Sequence, residues 1–281
     1  MPHSIIEIIK QRYSVRSYDK REIEPGNLRK LVEYIGAIKS GPLGSAVRFE
    51  LIEIPDMDAA AIKELGTYGM IRGAQKFIAG AVTKGPRAME DFGYCMEQII
   101  LEATALGMGT CWLGGTLKRS AFAARINLTK DELIPAVTPL GNALDKKPLR
   151  DSLISFAVGS KRRKQFSALF FEQTLDTPLI GDPANPVICA LECVRLAPSA
   201  SNKQPWRIIR DRDLKSLHLY IDRDPLYNAA SKEIKIQYVD MGIAMCHLEL
   251  ALKELGIAGT WGEVQPAIDA GTFKYVASFN F

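Results

Sequence analysis

Residues 90–112, EDFGYCMEQIILEATALGMGTCW, decide the reading of this chain, because residues 239–261, VDMGIAMCHLELALKELGIAGTW, follow the same plan. In the first stretch Phe92, Cys95, Met96, Ile99, Ile100, Ala103 and Leu106 recur at spacings of three and four. That spacing predicts an amphipathic helix with a core-packed stripe, stopped by Gly107 and Gly109. In the second, Met241, Ala244, Met245, Leu248, Ala251, Leu252 and Leu255 do the same, and glycine and tryptophan again follow. Trp112 and Trp261 lie 149 residues apart (261 − 112 = 149). The same offset pairs Asp91 with Asp240, Gly93 with Gly242, Met96 with Met245, Leu106 with Leu255 and Gly107 with Gly256. Six identities in register over one helix indicate an internal duplication.

A second echo supports it. GPLGSAVRFELIEI (41–54) and APSASNKQPWRIIRD (197–211) both place a small residue and proline before a strand-like run. Two related halves are therefore expected, 1–175 and 176–281, joined within the Pro-, Gly- and Asp-rich stretch 172–187. Such a chain folds as a homodimer collapsed into one polypeptide, its equivalent helices packing within the chain.

The rest of the first half reads locally. Ser4 is the expected N-cap of a short helix, with Glu7 closing a capping box. Pro25-Gly26 reads as a turn, Asn27 as the N-cap of a helix ending near Gly41. RFELIEI (48–54) and KFIAGAV (76–82) read as strands.

Composition sets limits. The chain has 281 residues, 47% hydrophobic and 24% charged, with a net charge of +4. This suits a globular protein with a sizeable core and permits an anionic ligand without demanding nucleic acid. Five scattered cysteines fit a reducing cytoplasm better than a disulfide framework, and neither they nor the three histidines show metal-ligand spacing. The opening MPHSIIEIIKQRY lacks a signal-peptide pattern, and no apolar run is long enough to span a membrane.

Three polar motifs stand out. Arg12, Ser14 and Arg16 alternate in QRYSVRSYDK (11–20), so an extended backbone would put two cations and a hydroxyl on one side. APSASNKQPW (197–206) concentrates hydrogen-bonding groups before a strand; it suits a polar ligand, or a turn satisfied by its own side chains. KRRK (161–164) by itself reads as a solvated surface run or a nucleic-acid patch.

Together, RYSVR, APSASNKQPW, GTCWLGG (109–115) and KRRKQF resemble the nitroreductase family of flavin-dependent oxidoreductases, in its subgroup of fused halves. The resemblance implies an α+β nitroreductase-like fold. Mainly antiparallel sheet would be flanked by helices, with the long helices at an intramolecular pseudo-dimer interface. It implies FMN at that interface. Arg12, Ser14 and Arg16, with Tyr13 alongside, would hold phosphate and ribityl chain. Lys161 and Arg163 would grip the phosphate. Leu113, Gly114 and Gly115 would reach the flavin's reactive edge, and Pro198, Ser199, Ala200, Ser201 and Asn202 would come from the other half. The chemistry fits: arginine forks match phosphate, and glycines admit backbone N–H groups close to a ring.

The departures are instructive. The first half has GPLGSAVRF where the family shows Pro-Ser-x-x-Asn, and the second has no Arg-x-Ser-x-Arg opening. One complete site and one degenerate site are expected. The resemblance implies an FMN-dependent oxidoreductase taking hydride from NADH or NADPH to a nitroaromatic, quinone or similar acceptor, with ping-pong kinetics, as a monomeric pseudo-dimer. No side chain stands out as a catalytic nucleophile or acid, in keeping with chemistry carried by the cofactor. A flavin-binding or storage protein with little turnover is the second reading. A basic protein using residues 160–165 on RNA or DNA is the third, with no aromatic interleaving to support it.

Overall fold

Two glycines meet where the two long helices cross, and the fold is arranged around that contact. The computed structural model describes residues 4–54, 71–115, 117–145, 151, 162–224, 233–263, 266 and 268–281. Helices α3 (Ala88–Ala105) and α6 (Ile236–Glu254) make its most extensive element-to-element contact. (α1, α2, α4 and α5 are Ile5–Gln11, Pro25–Ala37, Arg119–Ala123 and Pro186–Leu196.) A Cβ on Gly93 would lie 2.1 Å from the carbonyl oxygen of Val239. A Cβ on Gly242 would lie 1.9 Å from that of Glu90. Val239 and Glu90 are themselves partners under the offset of 149, so the contact is reciprocal, as a two-fold axis requires. The backbones approach too closely for any side chain, so glycine is obligatory there.

The duplication extends through both sheets. The first half orders its strands β1 (Val47–Glu53), β2 (Lys76–Thr83), β5 (Val137–Gly141) and β3 (Gly109–Thr110), with β4 (Glu132–Leu133) also on β2. The second orders β7 (Trp206–Arg210), β8 (Ser216–Ile221), β10 (Lys274–Asn280) and β9 (Thr260–Gly262) in the matching sequence. Pairing is antiparallel throughout, except that β6 (Phe170–Glu172) lies parallel to β7. That strand precedes residue 175 yet is the edge strand of the second sheet, so the first half's chain crosses into the second.

Both long helices are buried more widely than their apolar stripes predict. On α3 the buried set includes Glu90, Asp91 and Glu97, and on α6 it includes Asp240 and His247. One face packs on its own sheet while the other meets the opposite half, so a single-stripe reading is too narrow. Among the described residues, no helix is long and apolar enough to cross a membrane.

Local readings fare unevenly. Ser4 caps α1 by accepting from the Glu7 N–H, but the Glu7 carboxylate turns to Lys10, 2.8 Å away, and does not close the box. Helix α2 starts at Pro25, not after Asn27, and ends at Ala37 instead of near Gly41. The Glu24 carboxylate accepts from the Gly26 and Asn27 N–H groups, and proline at the first position loses no bond. The strands and both long helices fall where expected, with Gly107 and Gly256 at φ +79° and +82° after the helix ends.

The offset-related aspartates anchor equivalent loops differently. Asp91 accepts from the N–H groups of Leu43 (2.8 Å) and Ser45 (2.7 Å). Among the described residues Asp240 accepts from Ala200 (2.9 Å), and its second oxygen is buried without a hydrogen bond. Burial pushes the Asp240 carboxyl well above its ordinary range.

These contacts set the outcome of four substitutions. Gly242→Ala should lower unfolding free energy by about 3 kcal/mol or more, while Gly36→Ala, with open space on helix α2, should change it by less than about 1 kcal/mol in the stabilising direction. Denaturant titration checks both. A carboxyl raised in the fold destabilises as pH rises above its unfolded value, near 4. Asp240→Asn should therefore raise the denaturation midpoint at neutral pH and flatten its decline from acid. Asp91→Asn, which puts an amide NH2 against one of two N–H donors, should lower stability by about 1–3 kcal/mol.

Candidate functional site

The segment carrying Arg12, Ser14 and Arg16 leaves α1 at Arg12 in extended conformation. Ser14 bridges to Thr110 in parallel, and the Val15 N–H donates to the Thr110 carbonyl at 2.8 Å. Gly109 permits this approach, since a Cβ there would lie 2.7 Å from the Val15 side chain. The extended reading from sequence thus holds, and β3 fixes the segment. Tyr13 points outward, 53% exposed, while Val15 enters the core. Burial pushes the Cys111 thiol up, against the Arg16 charge, a hydrogen bond with the Ser14 side chain and the Arg12 charge, so all three site residues act on this one thiol.

Arg12 is charged and largely withdrawn from solvent. Its side chain is 7% exposed, and among the described residues Nε has no hydrogen-bond partner; a Glu97 carboxylate oxygen is 3.8 Å away. Arg163 lies close enough for its charge to matter. Burial, with the Arg12 and Arg195 charges next, brings the Arg163 guanidinium down to about 10. Cations from two separate segments are thus gathered in one place.

Arg163 also reaches the second half. Its Nη1 donates to the Asn202 side-chain oxygen at 2.7 Å and the Ala197 carbonyl at 3.0 Å, and Nη2 donates to the Leu196 carbonyl at 2.8 Å. Asn202 returns a bond to the Arg162 carbonyl at 2.6 Å. Arg163 and Lys164 are therefore built into the 197–206 loop, and the surface-run reading of KRRK fails for both. Lys161 lies outside the described residues.

That loop holds three non-glycine residues in left-handed conformation: Ser201, Asn202 and Gln204, at φ +47°, +54° and +49°. Left-handed backbone is unfavourable for side-chain-bearing residues and persists where surrounding bonds fix it. Here the Gln204 N–H donates to the Ser199 hydroxyl (2.9 Å), and the Gln204 amide joins the Lys164 N–H and the Asn202 carbonyl. Pro198 and Ala200 are half-buried, and Ser201 is exposed.

Leu113 is buried and pairs with Val137, Gly114 is half-buried, and Gly115 is exposed. Sequence reasoning missed Arg119, which holds the Gly114 carbonyl at 2.7 Å and those of Ile134 and Pro135 at 2.9 and 3.2 Å. It also missed Ile236 of the second half, whose side chain closes on Gly114. Glu97 and His247 were missed too; one signal was present, a carboxylate in the middle turns of a largely apolar helix.

The matching place in the other half carries charged residues. Under the same offset Gly114 corresponds to Glu263 and Ile236 to Arg87. These form an ion pair at 2.6 Å. A cleft of about 390 Å³ is lined by Lys84, Arg87, Glu90, Glu233, Lys235 and Tyr238 among others. Burial pushes the Glu90 carboxyl up to about 7. None of the sequence-predicted site residues lines this cleft.

A family model described as "Putative TM nitroreductase" matches residues 4–252. A solved nitroreductase structure from Thermotoga maritima MSB8, 18% identical, aligns with a TM-score of 0.60 over 99% of this chain and 94% of its own. A Desulfovibrio desulfuricans protein in complex with FMN is 22% identical, with a TM-score of 0.41 over 54% of this chain and 96% of its own. A Bacteroides fragilis nitroreductase with bound FMN is 20% identical, with a TM-score of 0.39 over 52% and 91%. No curated protein matched. A family match from residue 4 to 252, on a fold shared nearly end to end with the Thermotoga protein, has one consequence: this chain belongs to the nitroreductase family.

Proposed function

We propose that the chain is an FMN-dependent NAD(P)H oxidoreductase with one flavin site, assembled across the halves 1–175 and 176–281. The observation that carries this reading is the meeting of buried guanidiniums with the second half's turn, through the bond from Arg163 to Asn202. The residues fit such a group. Arg12 has a buried donor without a hydrogen bond, and like charge already presses on Arg163. A phosphate supplies the missing acceptor and the missing negative charge. FMN when bound supplies the ring that accepts and donates hydride, which no side chain here can do.

The chain's own residues then have distinct tasks. Arg12, Ser14, Arg16, Lys161 and Arg163 hold phosphate and ribityl. Leu113, Gly114 and Gly115 offer backbone beside the ring, with the Gly114 carbonyl fixed by Arg119. The turn 198–202 supplies polar groups from the second half, with Tyr13 at the exposed edge. The Arg87–Glu263 pair supports a single flavin per chain, because a carboxylate stands where the complete site has glycine. A monomer suffices, since both contributors are in one polypeptide. Five free cysteines support a reducing, cytoplasmic setting.

Donor and acceptor, a nitroaromatic, quinone or similar compound, would visit one place in turn. Steady-state rates against both substrates should give parallel lines, and anaerobic NADH or NADPH should bleach the flavin absorption within turnover time. Intersecting lines count against the ping-pong scheme. A flavin that neither dinucleotide bleaches favours the storage reading.

A further inference from the structure

Behind the arginine cluster lies a fully buried charged group that the flavin reading leaves unused. The Glu97 carboxylate on α3 accepts from Trp112 Nε1 at 2.7 Å and lies 2.9 Å from His247 Nε2 on α6. His247 Nδ1 lies 2.9 Å from the Cys193 carbonyl oxygen on α5. Arg12 Nε lies 3.8 Å from the same Glu97 oxygen that faces His247. Glu97 and His247 are both 0% exposed.

Simple counting of donors fixes the charge of this pair. A carbonyl only accepts, so Nδ1 carries a hydrogen. A ring nitrogen and a carboxylate oxygen 2.9 Å apart need a hydrogen between them as well. Whether that proton is assigned to Nε2 or to Oε1, the pair as a whole is neutral. Glu97 therefore lies beside the Arg12 guanidinium without cancelling its charge. Without the proton the pair would carry −1, held against Arg12 and opposing any incoming anion.

Other groups around His247 do not substitute for it. Burial pushes the Cys193 thiol up to about 12 and the Cys246 thiol well above its ordinary range, so both stay neutral. Lys10 on α1 bears on Cys193 only through its charge. Glu249 on α6 acts on Cys246, Glu192 on α5 and Glu254 on α6 act on Cys193, and Arg12, with Arg163 beyond it, is the cation set against the pair.

We propose that His247 is a positioning residue: through the proton it shares with Glu97, the second half keeps the Arg12 charge available to the flavin phosphate. The proposal rests on the reading that Arg12 holds that phosphate. Its test is the preference for FMN over riboflavin, which lacks the phosphate, measured by flavin fluorescence on the apo-protein. Arg12→Ala should collapse the preference. His247→Gln, which cannot hold the extra proton, should weaken FMN binding about tenfold and leave riboflavin unchanged. Glu97→Gln/His247→Gln should restore it.

Equal weakening of both ligands by His247→Gln means a structural role and overturns the proposal, as does no change in either. An unaltered preference in Arg12→Ala overturns the phosphate reading and this proposal with it. Should His247→Gln fail to fold, His247→Asn takes its place. A lower preference for FMN with riboflavin binding unchanged is expected, and an unchanged preference overturns the proposal.

Discussion

The close approach of α3 and α6 at Gly93 and Gly242 is the constraint on which the rest of the structure depends. At that point each helix presents a bare backbone to the other's carbonyl oxygen. The approach draws both helices into the interior, which explains the burial of Asp91, Glu97, Asp240 and His247. Buried carboxylates must find donors, and here they find them in loops of their own half and on the helix opposite. Asp91 and Asp240 tie down the loops entering β1 and β7. Glu97 and His247 join the halves through a side-chain pair.

Fusion frees the two halves to differ across a common axis. In a true homodimer, equivalent positions carry identical residues, and like charges would face each other near the dyad. Here Lys84 faces its own counterpart, Glu233, at 3.5 Å. Glycine at 114 has glutamate as its counterpart at 263. Asp91 has two donors and Asp240 one. Arg87 and Glu263, at the positions matching Ile236 and Gly114, form an ion pair where the first half has an apolar contact.

Much of this was legible in the sequence. Six identities at a fixed offset named the very glycines that meet at the axis, because an obligatory backbone contact leaves no other residue possible. Alternation in RYSVR correctly signalled an extended segment. Other features depended on tertiary context. Glu24 caps α2 because proline follows it, whereas the pattern favoured Asn27. The role of Glu97 was hidden, since its partners come from residues as distant in sequence as Arg12 and His247. Arg163 read as surface charge from its own run and as a phosphate ligand by resemblance, and neither reading foretold its bond to Asn202. Periodicity marks which face is apolar; it does not tell which side chains from distant segments will meet.

The central claim is that duplication followed by divergence has left one composite flavin site per chain. Its most direct test is the molar ratio of FMN to protein after saturation and desalting, read from the absorbance of released flavin. The account predicts a ratio near one. A ratio near two would show that the Arg87–Glu263 half still binds, and no retained flavin would contradict the composite site itself.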